Sequence, residues 1–455
     1  MGQEKKYTYY GFIPSQIHLY VLNEANNLTS DWKLGSEYTG SPLFDGKNLA
    51  VKSMVAVVAV ESDTNVEVYD LMLGRLVSKR SLGSMEKHLV LLANGTAFKV
   101  VSDKLVSVLL LNYQSMPSAD VSEGPLPHTF YMSVNGLCVD KEFVFMASER
   151  VGEAENRFYT IFALETSTVT VTRDDGEQNE YSLAANAYRY LMFRSFRAYR
   201  IKSTGNIMVQ SGHIDGGSYG HGYFVPCAEG GFVGRNFYAR STRSWDIKRN
   251  YGYRISAIRD TSVTVYNLET HEVLQKLSVK GESGVGFMPS APAIAVQSDA
   301  PVTLAFLDNG TIGTGVMFIG IRPGQDTVFY LPTEAYVEAY FFATEETQVT
   351  IDDFAETIRA DTPFLFTQPG THKVHSDGNL ILQVNYWPNQ PDYQGLWFTG
   401  ATVPCIETIN IDPDVKLTPF EEGFPTMYLI IGVGVAATTI IAFLLVMTKR
   451  KSMPE

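Results

Sequence analysis

DTNVEV at residues 63–68 is a phrase that this chain repeats three more times, as TSTVTV at 166–171, DTSVTV at 260–265 and ETQVTI at 346–351. Each copy combines a Thr or Ser with apolar β-branched residues at every second position. The copies recur about every 90 residues, which indicates a tandem structural repeat. A repeated unit without a unique catalytic insertion usually forms a surface and not a reaction centre.

A second phrase follows each copy: a β-like segment ends in Ser, a polar turn follows, and an apolar strand comes next. The four serines are Ser102, Ser203, Ser298 and Ser376. Two phrases kept in one order at similar offsets indicate a true repeat. Between the phrases, polar and apolar residues alternate, and Asn-Gly and Asp-Gly turns are frequent. This pattern is typical of half-buried antiparallel strands.

We therefore predict an all-β fold of four tandem repeats, each the size of an immunoglobulin-like β-sandwich. Radial closure of the four units into a four-bladed, propeller-like ring is the alternative. The repeats are predicted to span 1–136, 137–227, 228–331 and 332–405. The tripeptide Val-Pro-Cys ends the second and the fourth repeat, which groups the four in two pairs.

The C-terminal region has the pattern of a membrane anchor. Residues 427–448 contain no charged side chain and are long enough to cross a bilayer core of about 30 Å as a helix. A stem at 406–425 precedes them, and a basic tail at 449–455 follows. Because positive charge favours the cytoplasmic side, we expect a cell-membrane protein with a cytoplasmic tail and a large extracellular part.

An extracellular part needs an export signal, and residues 1–20 contain no apolar run of the kind that a signal peptide needs. The expectation is therefore a signal peptide that has been removed, or a start site that differs from Met1. A tail-anchored cytosolic protein is the rival interpretation. It would place the basic tail outside, against the charge bias.

Composition fits an extracellular surface. The net charge of −13 argues against a nucleic-acid partner. Candidate glycosylation sites are Asn27, Asn94 and Asn309, of which the last two also form Asn-Gly turns. The three cysteines are Cys138, Cys227 and Cys405. They leave two alternatives open, a Cys138–Cys227 disulfide and buried free thiols.

Few residues have a pattern that points to catalysis, so we expect neither an enzyme nor a cofactor. The best metal candidate is the Gly-rich loop 213–221, where His213, Asp215 and His221 could act as ligands. The alternative is a long flexible turn. His372 and His375 are three residues apart on a predicted strand, so they should lie on opposite faces and not chelate together.

The segments IKSTGNIMVQSGH at 201–213, TSTVTV at 166–171 and VQSDAPV at 296–302 resemble the N-terminal domain of the IgG Fc-binding protein family. The resemblance extends over about residues 50–405. It implies a secreted or surface-exposed protein, and no catalytic residue carries over from the family. The acidic stem, single helix and basic tail are also similar to those of microbial surface proteins, notably archaeal ones.

The sequence thus predicts a single-pass cell-surface protein whose repeated β ectodomain serves binding, adhesion or envelope structure. Loops on the rigid β scaffold would contact a protein or glycan ligand. One alternative is a glycan-active enzyme with a site near the loop 213–221. Another is a subunit of a surface lattice, which would form homo-oligomers.

Overall fold

The structure is a computed structural model of the 455-residue chain. It describes residues 7–12, 18–19, 33–34, 52–71, 73–93, 96–111, 131–133, 139–147, 156–194, 197–211, 225, 233–240, 252–307, 315–331, 335–388 and 400–406. The regular secondary structure of these residues is β-strand, which confirms the all-β prediction. No helix among them is long and apolar enough to span a bilayer, and the apolar run 427–448 lies outside them.

The first ten strands are β1 (Tyr7–Phe12), β2 (His18–Leu19), β3 (Lys33–Leu34), β4 (Lys52–Ala59), β5 (Thr64–Asp70), β6 (Arg75–Leu82), β7 (Lys87–Ala93), β8 (Ala97–Ser102), β9 (Val106–Leu111) and β10 (Tyr131–Ser133). Unit 1 consists of two sheets, with the strand orders β1-β8-β5-β6 and β10-β9-β4-β7. Both sheets contribute to one core, which includes Tyr9, Val57, Val66 and Phe98. Unit 1 is therefore a β-sandwich, and β2 with β3 forms a separate ribbon.

Unit 2 contains the next six strands: β11 (Val139–Ala147), β12 (Asn156–Ala163), β13 (Ser167–Arg173), β14 (Gln178–Leu183), β15 (Tyr188–Arg194) and β16 (Arg197–Ser211). The long strand β16 takes the place of β8 and β9 together. Its first half pairs with β13, and its second half pairs with β12. The N–H of Val225 donates to the carbonyl of Val209 at 2.8 Å, so the Val-Pro-Cys segment begins beside this second half.

Unit 3 repeats this plan with β17 (Val233–Arg240), β18 (Gly252–Ala257), β19 (Thr261–Asn267), β20 (Val273–Val279), β21 (Ser283–Phe287) and β22 (Ala293–Leu307). Unit 4 contains β23 (Gly315–Ile321), β24 (Thr327–Leu331), β25 (Ala335–Phe342), β26 (Thr347–Ile351), β27 (Phe354–Ile358), β28 (Phe364–Phe366), β29 (Gly370–Ser376) and β30 (Leu380–Pro388). Its sheets have the orders β23-β30-β25-β28 and β24-β29-β26-β27. The last strand, β31 (Gly400–Val403), pairs with β22 of unit 3.

The two repeated phrases form corresponding structures in the four units. The first phrase forms β5, β13, β19 and β26. The second phrase leads from one sheet to the other in units 1 and 4, and in units 2 and 3 it lies within the long strands β16 and β22. In three units the serine hydroxyl holds this segment by donating to the carbonyl two residues later, at 2.7 Å, from Ser102, Ser298 and Ser376. The next side chain ties the phrases together: Asp103 accepts the N–H of Asn65 at 2.8 Å, and Asp377 accepts that of Gln348.

Strand β4 is apolar at consecutive positions because both of its faces are buried. Val55 and Val57 face the core of unit 1, whereas Ala56 and Val58 pack into the core of unit 4. A strand buried on both faces loses the simple alternation of a half-buried strand. The corresponding strand β25 likewise contributes to its own core and to that of unit 3. Strand β12 contributes to its own core and, through Phe162, to a cluster that units 1 and 2 share.

Each unit contacts the next along the chain, and unit 4 contacts unit 1. Leu71 of unit 1 shares a core with Phe162 of unit 2. The hydroxyl of Thr303 in unit 3 donates to the carbonyl of Val144 in unit 2 at 3.4 Å. The rings of Tyr238 in unit 3 and Phe342 in unit 4 stack with centroids 6.0 Å apart. The hydroxyl of Ser107 in unit 1 donates to the carbonyl of Val328 in unit 4 at 2.7 Å, which closes the circle of contacts.

Units 3 and 4 each contain a strand that the sequence places at the end of the other repeat. β23 and β24, at 315–331, pair with strands of unit 4, although the sequence phrases grouped them with the third repeat. β31, at 400–403, pairs with unit 3, although it follows unit 4 in the chain. The predicted end of the third repeat, residue 331, is therefore the last residue of β24 in unit 4 and does not end unit 3.

Candidate binding surface

The residues that the sequence singled out for a metal, for glycans and for a disulfide lie outside the described part of the chain: His213, Asp215, His221, Asn27, Asn94, Asn309, Cys138 and Cys227. Among the described residues, no three His, Cys, Asp or Glu side chains are grouped so as to hold a metal ion. Cys405 is described and is a buried free thiol. The metal site, the glycosylation sites and the disulfide stay predictions.

His372 and His375 point to opposite faces of β29, as predicted. The His372 side chain is buried between the sheets of unit 4. His375 is exposed, and its Nδ1 lies 2.7 Å from Oδ1 of Asp326. The same carboxylate bonds Nζ of Lys373 at 2.5 Å. Burial alone would raise the pKa of Asp326, but the hydrogen bonds from Lys373 and His375 outweigh it and hold that pKa below its ordinary value.

Four hairpins occupy equivalent positions in the units, and we call them the edge hairpins: β5–β6, β13–β14, β19–β20 and β26–β27. Three of them carry a strongly exposed apolar side chain at or next to the turn, namely Leu73, Val273 and Phe354. The turn of the fourth is Asp174-Asp175-Gly176-Glu177, the hairpin turn that its sequence indicates. Apolar contact groups therefore occur in three units and a charged turn in the other.

Phe354 is the most exposed of these side chains, with 65% of its surface accessible. It pairs with Ile351 across the hairpin, so its ring lies on the face that forms the core of unit 4. The strand β28, which borders the opposite sheet, has only three residues, whereas its counterpart β7 in unit 1 has seven. Phe354 thus lies on the core side of its hairpin without being covered by the core.

The turn before Phe354 is held by Asp352. This residue has a φ of 52°, and its N–H donates to the carbonyl of Lys373 at 2.8 Å. Its Oδ1 accepts the N–H of Lys373 at 2.9 Å, and its Oδ2 lies 2.7 Å from Nδ1 of His372. Nε2 of His372 lies 2.8 Å from the carbonyl of Gln368. Because both partners are acceptors, the imidazole makes both bonds only when both of its nitrogens carry a proton.

Aromatic packing fixes the His372 ring. Its centroid lies 4.9 Å from that of Phe366 and 5.2 Å from that of Phe329. The turn therefore presents Phe354 from a rigid support, so ordering this side chain on binding costs little entropy beyond its own rotamer. The sequence could not indicate that a buried histidine holds Asp352.

The turn of unit 2 is ordered by ion pairs. Arg173 donates to both oxygens of Asp175, at 2.9 and 2.8 Å, and also pairs with Glu177. Arg197 pairs with both Asp174 and Asp175. The hydrogen bonds from Arg173 hold the pKa of Asp175 well below its usual range. This turn presents fixed charge where the other three hairpins present apolar surface.

A second polar cluster lies buried between units 3 and 4. The side chain of Gln383 accepts the backbone N–H of Arg240 at 2.7 Å and donates to the Arg240 carbonyl and to Asn385. The Arg240 guanidinium lies over the Tyr340 ring, 5.1 Å from its centroid. Burial raises the pKa of Tyr340 to about 12. The cluster is internal, so we assign it a structural role in joining the two units.

Comparisons with known proteins identify no family. No family model matches the chain, and no curated protein matches it. The resemblance to the IgG Fc-binding protein family thus stays a prediction.

Structural neighbours are remote. A chain from the lipid-containing bacteriophage PM2 is 9% identical and has a TM-score of 0.13, over 60% of this chain and 95% of that one. Escherichia coli α-2-macroglobulin has 9% identity and a TM-score of 0.11, over 75% and 29%. A tetra-tandem repeat from a large adhesion protein has 9% identity and a TM-score of 0.11, over 86% and 99%. Likeness at this level supports no conclusion on function.

Proposed function

We propose that this chain is a single-pass cell-surface protein and that its four β-sandwich units form a rigid binding ectodomain. The apolar run 427–448 would anchor it, and the basic tail 449–455 would remain in the cytoplasm. The net charge of −13 favours a protein or glycan ligand over a nucleic acid.

One observation carries the proposal: a phenylalanine that is 65% exposed stands on a turn that buried groups hold in place. Aromatic side chains are frequent anchors of interfaces, because each buries a large apolar area when a partner covers it. Leu73 and Val273 extend this apolar character to two further edge hairpins. The ligand would contact these hairpins on a scaffold that does not need to change shape.

The test is adhesion of cells that display the full chain, with Phe354→Ala compared with Met288→Ala. Met288 is 55% exposed and lies outside the edge hairpins, so it removes similar apolar surface elsewhere. We expect Phe354→Ala to lower adhesion several-fold and Met288→Ala to leave it unchanged. Equal adhesion of both variants and the wild type at equal display level would contradict the proposal.

The topology is tested separately by protease treatment of intact cells that carry a tag after Glu455. External protease should remove the β units and spare the tag. Protection of the whole chain until lysis would exclude a cell-surface location.

A further inference from the structure

Each unit ends in an unpaired strand edge. Within the described residues, β6 pairs only with β5, β14 only with β13, β20 only with β19 and β27 only with β26. We call these four the edge strands. An open edge presents backbone N–H and C=O groups to any extended segment that fits, and proteins usually block it with charge. The charges on these edges decide which partner each of them accepts.

The sign of the charge alternates around the four units. β6 carries Arg75, Lys79 and Arg80 and no acidic residue, and β20 carries only Lys276. β14 carries only Glu180, and β27 only Glu356. Units 1 and 3 thus have basic edge strands and units 2 and 4 acidic ones. Lys79 and Arg80 form ion pairs with Glu67 and Glu86 of the same unit, so Arg75 supplies the unpaired positive charge of β6.

The edges of units 1 and 2 combine an unpaired charge with further groups beside it. Arg75 on β6 and Glu180 on β14 are both exposed, and neither forms an ion pair with another described residue. The acidic turn 174–177 adds negative charge beside β14. Next to Arg75, Leu76 and Val77 are 41% and 37% exposed, so apolar surface accompanies the positive charge.

We propose that the basic edge β6 of one copy adds to the acidic edge β14 of a second copy as a new sheet neighbour, so that this chain self-associates. Backbone hydrogen bonds would join the two strands, and charge would select the pairing. Two edges with charge of the same sign repel each other, which disfavours the pairing of β6 with β6 and of β14 with β14. The partner is therefore a second copy held by an edge of opposite sign.

This contact is heterologous, because different surfaces of the two copies meet. Each added copy leaves one basic and one acidic edge free, and such contacts build open arrays unless the rotation closes a ring. The edges β20 and β27 repeat the alternation and provide further contacts of the same kind. The inference does not depend on ligand binding by Phe354.

A charge-swap experiment tests the pairing. One variant replaces the unpaired positive charge of β6 by negative charge, through Arg75→Glu and Ser81→Glu, and keeps the ion pairs of Lys79 and Arg80. The other makes β14 basic by Gln178→Lys and Glu180→Lys. The four side chains are exposed, so the fold should be retained. Sedimentation velocity of the purified full chain in detergent should show oligomers of the wild type at high concentration, and these should dissociate as salt rises.

Each variant alone should sediment as a single copy, because its two edges now repel each other. An equimolar mixture should form oligomers again, since the negative charge introduced on β6 of one variant matches the basic β14 of the other. The control variant Lys141→Glu with Arg259→Glu changes exposed charge away from the edges and should associate like the wild type.

Three outcomes would overturn the pairing: a wild type that stays a single copy, variants that associate alone as the wild type does, and a mixture that fails to associate. Phe354→Ala should self-associate normally. A failure of the ligand proposal would therefore leave this result unaffected, and the reverse also holds.

Discussion

Two contacts at equivalent places in the circle of units are built from different chemistry. Between units 4 and 1, Ala56 and Leu109 pair across β4 and β9 and pack into the core of unit 4. Between units 3 and 4, the residues at the same register are Tyr340 and Gln383, and Gln383 bonds the backbone of Arg240. One strand plan therefore accepts either an apolar or a hydrogen-bonded contact.

The difference between the apolar and the polar contact shows how neighbouring units keep a defined register. An apolar contact accepts any partner of suitable shape, whereas Gln383 bonds both the N–H and the carbonyl of one residue and so fixes a single register. Units 3 and 4 also exchange the strands β23 and β31. At this register the contact between units 3 and 4 is thus polar and specific, whereas the contact between units 4 and 1 is apolar and has its hydrogen bond elsewhere, from Ser107 to the carbonyl of Val328.

The largest effect is expected at the apolar contact. Val58 is 2% exposed between units 1 and 4, so Val58→Asp would bury a carboxylate without a partner. The free energy of unfolding should fall by about 4 kcal/mol, as measured by urea denaturation of the full chain. Leu73→Asp places the same charge on an exposed residue and should change it by less than about 0.5 kcal/mol. Equal losses of stability in the two variants would show that Val58 is not buried between units 1 and 4.

The next largest effect tests whether β31 belongs to unit 3. Val403 is fully buried beside Leu304, so Val403→Ala should cost about 2 kcal/mol through lost burial and a cavity. Amide hydrogen exchange should accelerate in β22 of unit 3 more than in β30 of unit 4. Faster exchange confined to β30 would mean that β31 belongs to the unit that precedes it in the chain.

A pair of substitutions compares the polar contact with its counterpart. Gln383→Leu leaves buried backbone groups of Arg240 without partners and should cost about 1 to 3 kcal/mol. Gln210 lies at the same register in unit 2, is 1% exposed, and neither its Nε2 nor its Oε1 makes a hydrogen bond. Gln210→Leu should therefore be neutral or stabilising in the same denaturation experiment. A loss of equal size at both sites would remove the proposed distinction.

The smallest effect concerns pH. The folded pKa of Asp326 lies below the ordinary value of 3.8, so its contribution is present above that value and is lost as the pH falls through the folded pKa. The carboxylate is partly exposed, which limits the contribution to about 0.5 kcal/mol. Asp326→Asn should lower stability at neutral pH and flatten its acid dependence, whereas Asp353→Asn should change neither. If Asp326→Asn lost stability at acid pH as the wild type does, Asp326 would not be the group responsible.

The repeated strands could be located from the sequence, because both repeated phrases depend on interactions between residues of one unit. The period of two predicts which side chains share a face, and the recurring Ser and Asp make hydrogen bonds within a few residues or between the two phrases of one unit. The turn 174–177 and the opposite faces of His372 and His375 follow from the same local rules. These features needed no knowledge of the other units.

The binding surface could not be found in this way. Phe354 has the alternation of an ordinary strand residue, and yet it is exposed on the core side of its hairpin. The polar contact at Gln383 likewise depends on Arg240, which lies 143 residues away in the chain. No local pattern indicates which distant strand will cover a given face.

By itself, the sequence determined the all-β class, the four copies of the phrase and the turns that join their strands, because backbone propensity and side-chain periodicity act over a few residues. Only the tertiary structure decided that β31 returns to unit 3, that unit 4 contacts unit 1, and which edges stay open. Strand pairing across units depends on shape and burial summed over many residues, and a period of two assigns a face to each side chain but no partner.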